Sequence, residues 1–170
     1  MQLSLLPVGT IPNALLNYLK YTIPEHLDFE KVVREREVSL PSSYDALRKQ
    51  YSVPSFFSIK TDKVSKYTLM ITDVDLFIEP VDYIFGHYKE NTALVSMQRL
   101  NPVFTGNDNP ETLRTRVLNE SLHQLGHALG LDHCKKRCVM KLAPGISDVD
   151  ERPVSYCSFC SKPIKKAIQN

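Results

Sequence analysis

Apolar and polar positions along the chain follow two periods. A mostly apolar run from Gln2 to Val8 has strand length. Residues 12–21 follow it, with Leu15, Leu16 and Leu19 on one helical face and Pro12 suited to a first turn. A second strand is expected over 27–38, its far end charged and exposed. Three further runs, 67–72, 83–88 and 93–99, have strand length and β-branched or aromatic content, with turn residues between them. The stretch 41–66 has no decisive pattern, although Ser52-Val53-Pro54 offers an opening for a short helix.

The clearest element begins at Asn109-Pro110-Glu111, which supplies a capping side chain, a first-turn proline and an acid favourable to the helix dipole. It is expected to run to Leu129 and to stop at Gly130. At about 100° per residue, Leu118, Leu122, Leu125 and Leu129 form a stripe for packing on a sheet. Glu120, His123 and His127 fall on roughly the opposite side. One helix thus carries both core and chemistry.

Composition adds bounds. With 170 residues, 42% of them hydrophobic and 24% charged, the chain has the balance of one soluble domain. It contains no repeat and no Gly/Ser-rich linker, so 1–170 is read as a single domain: a sheet-and-helix part, 1–130, and a small part, 131–170. A net charge of +2, spread evenly, argues against nucleic acid or an anionic membrane as the main partner. Lys162, Lys165 and Lys166 read as a solvated tail. No apolar run approaches the ~18 residues of a membrane helix, and the opening residues do not resemble a signal peptide. A cytoplasmic location is expected, and there four cysteines are better explained by metal than by disulfides.

His123 and His127, four apart on a helix, stack one turn apart and can converge on one ion. Gly130 lets the chain turn sharply and return His133 to the same point, leaving a fourth position open to water, as in catalytic zinc sites. Three of the chain's five histidines fall within eleven residues at the spacing His-x-x-x-His-x-x-Gly-x-x-His. That spacing matches the metzincin signature except after the first histidine, where Gln124 replaces Glu. In such sites the Glu takes the proton of the metal-bound water and passes it to the leaving amine. A glutamine amide can hydrogen-bond that water but cannot carry its proton. Glu120, one turn earlier, is either a substitute base, a hydrogen-bond partner of a ligand histidine, or a plain polar residue of the helix.

Cys134-x-x-x-Cys138 and Cys157-x-x-Cys160 are two short chelating pairs, the arrangement of tetrahedral four-cysteine zinc. Such a site would knit the last residues, poor in large apolar groups, onto the helix end. A redox role for Cys157-Ser158-Phe159-Cys160 is weaker, because that dithiol motif normally follows a strand in a different fold. Since His133 and Cys134 are adjacent, two zinc ions per chain would lie close together, and the cysteine site would fix the third histidine.

Together the run from His123 to Cys134, then Cys138-Val139-Met140, then Cys157 and Cys160, resembles the archaemetzincins, a branch of the metzincin zinc peptidases. The likeness extends to Arg48-Lys49-Gln50-Tyr51, Ile71-Thr72-Asp73-Val74-Asp75-Leu76, Ile84-Phe85-Gly86 and Val95-Ser96-Met97-Gln98-Arg99-Leu100. Departures besides Gln124 are a spacer of three between Cys134 and Cys138 and a shortening before Cys157. The resemblance implies an α/β fold: a five-stranded twisted mixed sheet, two main helices, and a small zinc-stabilised C-terminal subdomain. It places Met140 beneath the catalytic zinc and makes the fourth strand, from Tyr83 to Tyr88, the cleft edge along which a peptide would lie. It also implies a zinc metallopeptidase, its activity weakened or lost through Gln124 at the base position. The competing readings are a peptide- or protein-binding module without turnover and, more remotely, a nucleic-acid-binding zinc module.

Overall fold

The computed structural model describes residues 1–60, 65–106 and 109–169. The chain opens with β1 (Gln2–Val8) and α1 (Asn13–His26), then β2 (Lys31–Arg34), β3 (Tyr44–Asp45) and β4 (Gln50–Ser52). After a 3₁₀ turn at Val53–Ser58 come β5 (Tyr67–Thr72), β6 (Leu76–Ile78), β7 (Val81–Ile84), β8 (Gly86–Lys89) and β9 (Thr92–Ser96). The long helix α2 (Pro110–Ala128) is followed by α3 (Ile146–Glu151) and α4 (Ser158–Gln169).

The main sheet has the expected five strands, in the order β2-β1-β5-β9-β8. The first four are parallel and β8 runs antiparallel to β9, so β8 is the edge. Side chains along its inner strands alternate between two cores. Leu3, Leu5, Leu69, Ile71, Ala93 and Val95 point to the face covered by α1 and α2. Leu6, Val8, Met70 and Leu94 point to the other face and pack on Val53, Phe56 and Leu76. That second layer is a small mixed sheet, β3-β4-β6-β7, whose strands of two to four residues carry too little period to be read from sequence.

Several expectations are corrected. Helix α1 continues to His26, because Ile23 extends the buried stripe and Pro24 falls in the last turn, where few hydrogen bonds remain to be lost. The expected strand over 27–38 shrinks to Lys31–Arg34: Leu27 caps α1, and beyond Arg34 the backbone bonds β1 through the amides of Glu35 and Val38 before a single bridge at Val38. The run from Tyr83 to Tyr88 divides at Phe85, with β7 in the small sheet and β8 in the main one. The run 93–99 ends as a strand at Ser96. Lys162, Lys165 and Lys166 are not a tail but the outer face of α4, whose Cys160, Ile164 and Ile168 are buried. Within 41–66, the opening at Val53 is a 3₁₀ turn, and residues 61–64 lie outside the described residues.

Helix α2 behaves as its caps dictate. Asn109 accepts from the Glu111 amide at 3.0 Å, and the helix closes with Leu131 N–H on Gly126 O at 2.9 Å while Gly130 takes φ +93°. From Arg116 to Ala128 every residue is buried, the histidine side included. That side faces the cleft and the C-terminal segment rather than solvent. Among the described residues no helix is long and apolar enough to cross a membrane.

Candidate active site and metal centres

His123 and His127 come from the buried part of α2, and His133 returns on the loop that Gly130 reverses. One ligand nitrogen of each lies within 4.8 Å of the other two. The Nδ1 atoms of the helical pair are committed: His123 Nδ1 to Val139 O at 2.8 Å, and His127 Nδ1 to Leu131 O at 2.7 Å. A carbonyl only accepts, so both Nδ1 atoms carry the proton and both Nε2 atoms present lone pairs. Those Nε2 atoms are 3.2 Å apart. Two nitrogens bound tetrahedrally to zinc at ~2.0–2.1 Å would be ~3.3 Å apart, so the spacing fits. Met140 is fully buried against α2 between the two histidines, and a Cβ at Gly126 would lie 2.2 Å from its sulfur. Glycine is what permits that approach.

Cys134, Cys138, Cys157 and Cys160 also come together, their sulfurs all within 4.8 Å and those of Cys134 and Cys157 3.8 Å apart. Four sulfurs at ~2.3 Å from a tetrahedral zinc are separated by ~3.8 Å. The two clusters share backbone. Val139, which holds His123, follows Cys138, and Cys134, next to His133, donates its amide to Met140 O at 2.9 Å.

A cleft of about 510 Å³ opens over the histidines, walled by β7 and β8 on one side and by Leu142, Ala143 and Pro144 on the other. Residues 29–166 match the model of peptidase family M54. The chain is 32% identical over 170 residues to archaemetzincin from Methanocaldococcus jannaschii, covering 97% of this chain and 93% of the relative. To archaemetzincin from Pyrococcus furiosus it is 31% identical over 175 residues, 95% of this chain and 91% of that one. The crystal structure of archaemetzincin from Archaeoglobus fulgidus complexed with malonate superposes with a TM-score of 0.85 at 27% identity, covering 96% of this chain and 99% of that one. That from Methanopyrus kandleri gives 0.84 at 26%, covering 100% and 96%.

The chain belongs to peptidase family M54, the archaemetzincins. This is a family of zinc metallopeptidases, and the donor sets above are groups that could hold such a metal.

Position 124, directly after the first histidine, is Gln in this chain. Gln124 is buried, and its Nε2 donates to Glu120 Oε1 at 2.7 Å. The other Glu120 oxygen accepts from Arg152 Nη2 at 2.6 Å. Arg152 is fixed in turn, its Nε on Asn119 and its Nη1 on Lys141 O at 3.2 Å, while Asn119 donates back to Arg152 O at 2.7 Å. Burial alone would raise the Glu120 pKa, but Arg152, His123 and the two hydrogen bonds outweigh it and hold the carboxyl below its usual range. Glu120 is therefore a carboxylate with both oxygens engaged. Because a carboxylate only accepts, the amide of Gln124 can have only one orientation, nitrogen toward Glu120.

Burial lowers His123 to about 4 and pulls His127 below its ordinary value, which keeps both rings neutral as metal ligation requires. Cys157, at the start of α4, is drawn down to about 7, chiefly by the Cys160 amide, while burial pushes Cys138 and Cys160 up. The seven residues expected from the sequence thus assemble into two clusters. Arg152 and Asn119 escaped the sequence reading, since partners 32 and 33 residues apart leave no local spacing. Tyr88, stacked on His127, was detectable only as the residue two after Gly86 on one strand face.

Proposed function

We propose that this chain is a two-zinc peptidase scaffold: His123, His127 and His133 hold the catalytic zinc, and Cys134, Cys138, Cys157 and Cys160 hold the structural one. The observation that carries this reading is the convergence of the histidine Nε2 atoms, forced by Nδ1–H bonds to backbone carbonyls. Zinc held by these residues would supply Lewis-acid chemistry, which polarises a scissile carbonyl and lowers the pKa of bound water from ~15.7 toward ~7. Everything else falls to the chain's own side chains.

Gln124 Oε1, turned away from Glu120, accepts a hydrogen bond from water in the cleft but takes no proton. Glu120 does not replace it, because its proton affinity is lowered by Arg152 and both its oxygens are engaged. General acid–base catalysis contributes about 10²- to 10⁴-fold, so peptide hydrolysis is slowed by that order. This locked amide also favours the second reading, in which the chain binds peptides or proteins without cleaving them. Four cysteines grouped as metal ligands suit a reducing compartment, which we read as the cytoplasm.

In either reading the peptide lies along β8. Ser96 donates to Phe85 O at 2.8 Å, and antiparallel pairs alternate, so the backbone groups of Gly86 and Tyr88 face outward from the edge. A peptide strand can pair with them at little cost in sequence preference. Phe85 lies before β8 and its carbonyl already accepts from β9, so a proline there does not probe the outward edge. The test is therefore made on the ligand: N-methylating alternate amides of a bound peptide should weaken it roughly five- to ten-fold per hydrogen bond lost, in one register and not the other. Equal affinity for both methylated series would refute pairing at this edge.

A further inference from the structure

Strand β8 turns two positions toward α2. At Gly86 the strand and helix approach so closely that a Cβ would lie 2.8 Å from Gln124 Cγ and 3.1 Å from Glu120 Oε1. Two residues on, Tyr88 lies flat on His127, ring centroids 4.8 Å apart and planes inclined by 10°. The other rings at His127 meet it edge-on: His123 at 88° and His133 at 81°. The Nδ1 hydrogen bond to Leu131 O fixes one point of the imidazole but leaves it free to tip about that point. The flat face of Tyr88 closes off that motion on one side. His123 is itself buried and is held by Val139 O through its Nδ1.

We propose that Tyr88 is a positioning residue that holds the His127 imidazole with its Nε2 aimed at the metal, so that the peptide-binding edge strand also governs how firmly metal is retained. The proposal rests on the reading that the three histidines bind metal. The stack uses the ring and not the hydroxyl, which makes phenylalanine a full substitute.

Cobalt(II) provides the probe, because its thiolate charge-transfer band reports the cysteine site, and any loss of ligand-field absorption while that band stays constant reports the histidine site. The parent, Tyr88→Phe, Tyr88→Leu and Tyr88→Ala proteins are loaded and challenged with a chelator. Loss of an outer partner of a metal ligand typically costs about 10- to 100-fold in affinity. Tyr88→Leu and Tyr88→Ala should therefore release the histidine-site cobalt at least about ten-fold faster, Tyr88→Phe should match the parent, and the thiolate band should be unchanged throughout. Leucine keeps apolar bulk at this position, so the comparison survives if alanine unfolds the edge. Equal release from all four proteins would overturn the proposal, as would Phe behaving like Ala or parallel loss of the thiolate band. If the parent itself takes up a single cobalt, held by the thiolates, the metal reading of the histidines fails, which is a separate result.

Discussion

His123 carries the largest penalty for taking up a proton in the fold. Burial holds its pKa near 4, against 6.5 ordinarily. In metal-free protein, an unfolded His123 protonates as pH falls through 6.5 while the folded one stays neutral until about 4. Between those values the unfolded state binds more protons, so stability rises with pH and is lost on acidification. The urea midpoint of the metal-free parent should fall between pH 6.5 and 4 more steeply than that of His123→Gln. Parallel slopes would count against this sign. At residue scale the sequence was informative where chemistry is local: His123, His127, His133 and the four cysteines are legible from spacing alone. The partner that keeps Glu120 charged was not, because Arg152 lies 32 residues away and no period links them.

Elements were legible in proportion to their length and caps. Helix α2, with Asn109 at one end and Gly130 at the other, was read almost to the residue. The small sheet was missed because two to four residues show no alternation, and α4 was hidden by the Cys157-to-Cys160 motif and by Pro163 within it. The division at Phe85 has a packing cause: Phe85 is buried in the core under α2 while the strands before and after it join different sheets. The close approach of β8 to α2 can be probed at Gly86. A Cβ there would lie 2.7 Å from Leu94 O, a backbone atom that cannot swing aside. Gly86→Ala should cost about 1–3 kcal/mol of stability, as overpacking does, and should lower peptide affinity by displacing the edge strand. A variant with the parent's melting temperature and affinity would refute that packing.

At the scale of the whole molecule, the two-zinc proposal divides the work between the two clusters. The cysteines join the loop after His133 to the start of α4, and through Val139 they back His123. Emptying that cluster removes a support of the small C-terminal part, whereas emptying the histidine cluster leaves the core in place. Elemental analysis should give two zinc ions per chain. Cys157→Ser with Cys160→Ser should lower the melting temperature sharply, whereas His127→Ala should mainly remove one zinc. Equal losses of melting temperature would contradict the division.

The proposal that Gln124 leaves the site without a proton carrier is tested most directly by the rate of peptide hydrolysis of Gln124→Glu relative to the parent, with zinc content measured in both. Placing a carboxylate beside the histidine cluster should raise the rate by roughly 10²-fold or more. Because Gln124 Nε2 now sits 2.7 Å from Glu120, the new carboxylate meets a like charge. The acid limb of its pH profile should therefore lie above the usual carboxylate range. Zinc-loaded Gln124→Glu that binds a peptide yet cleaves it no faster than the parent would contradict the proposal that Gln124 limits turnover.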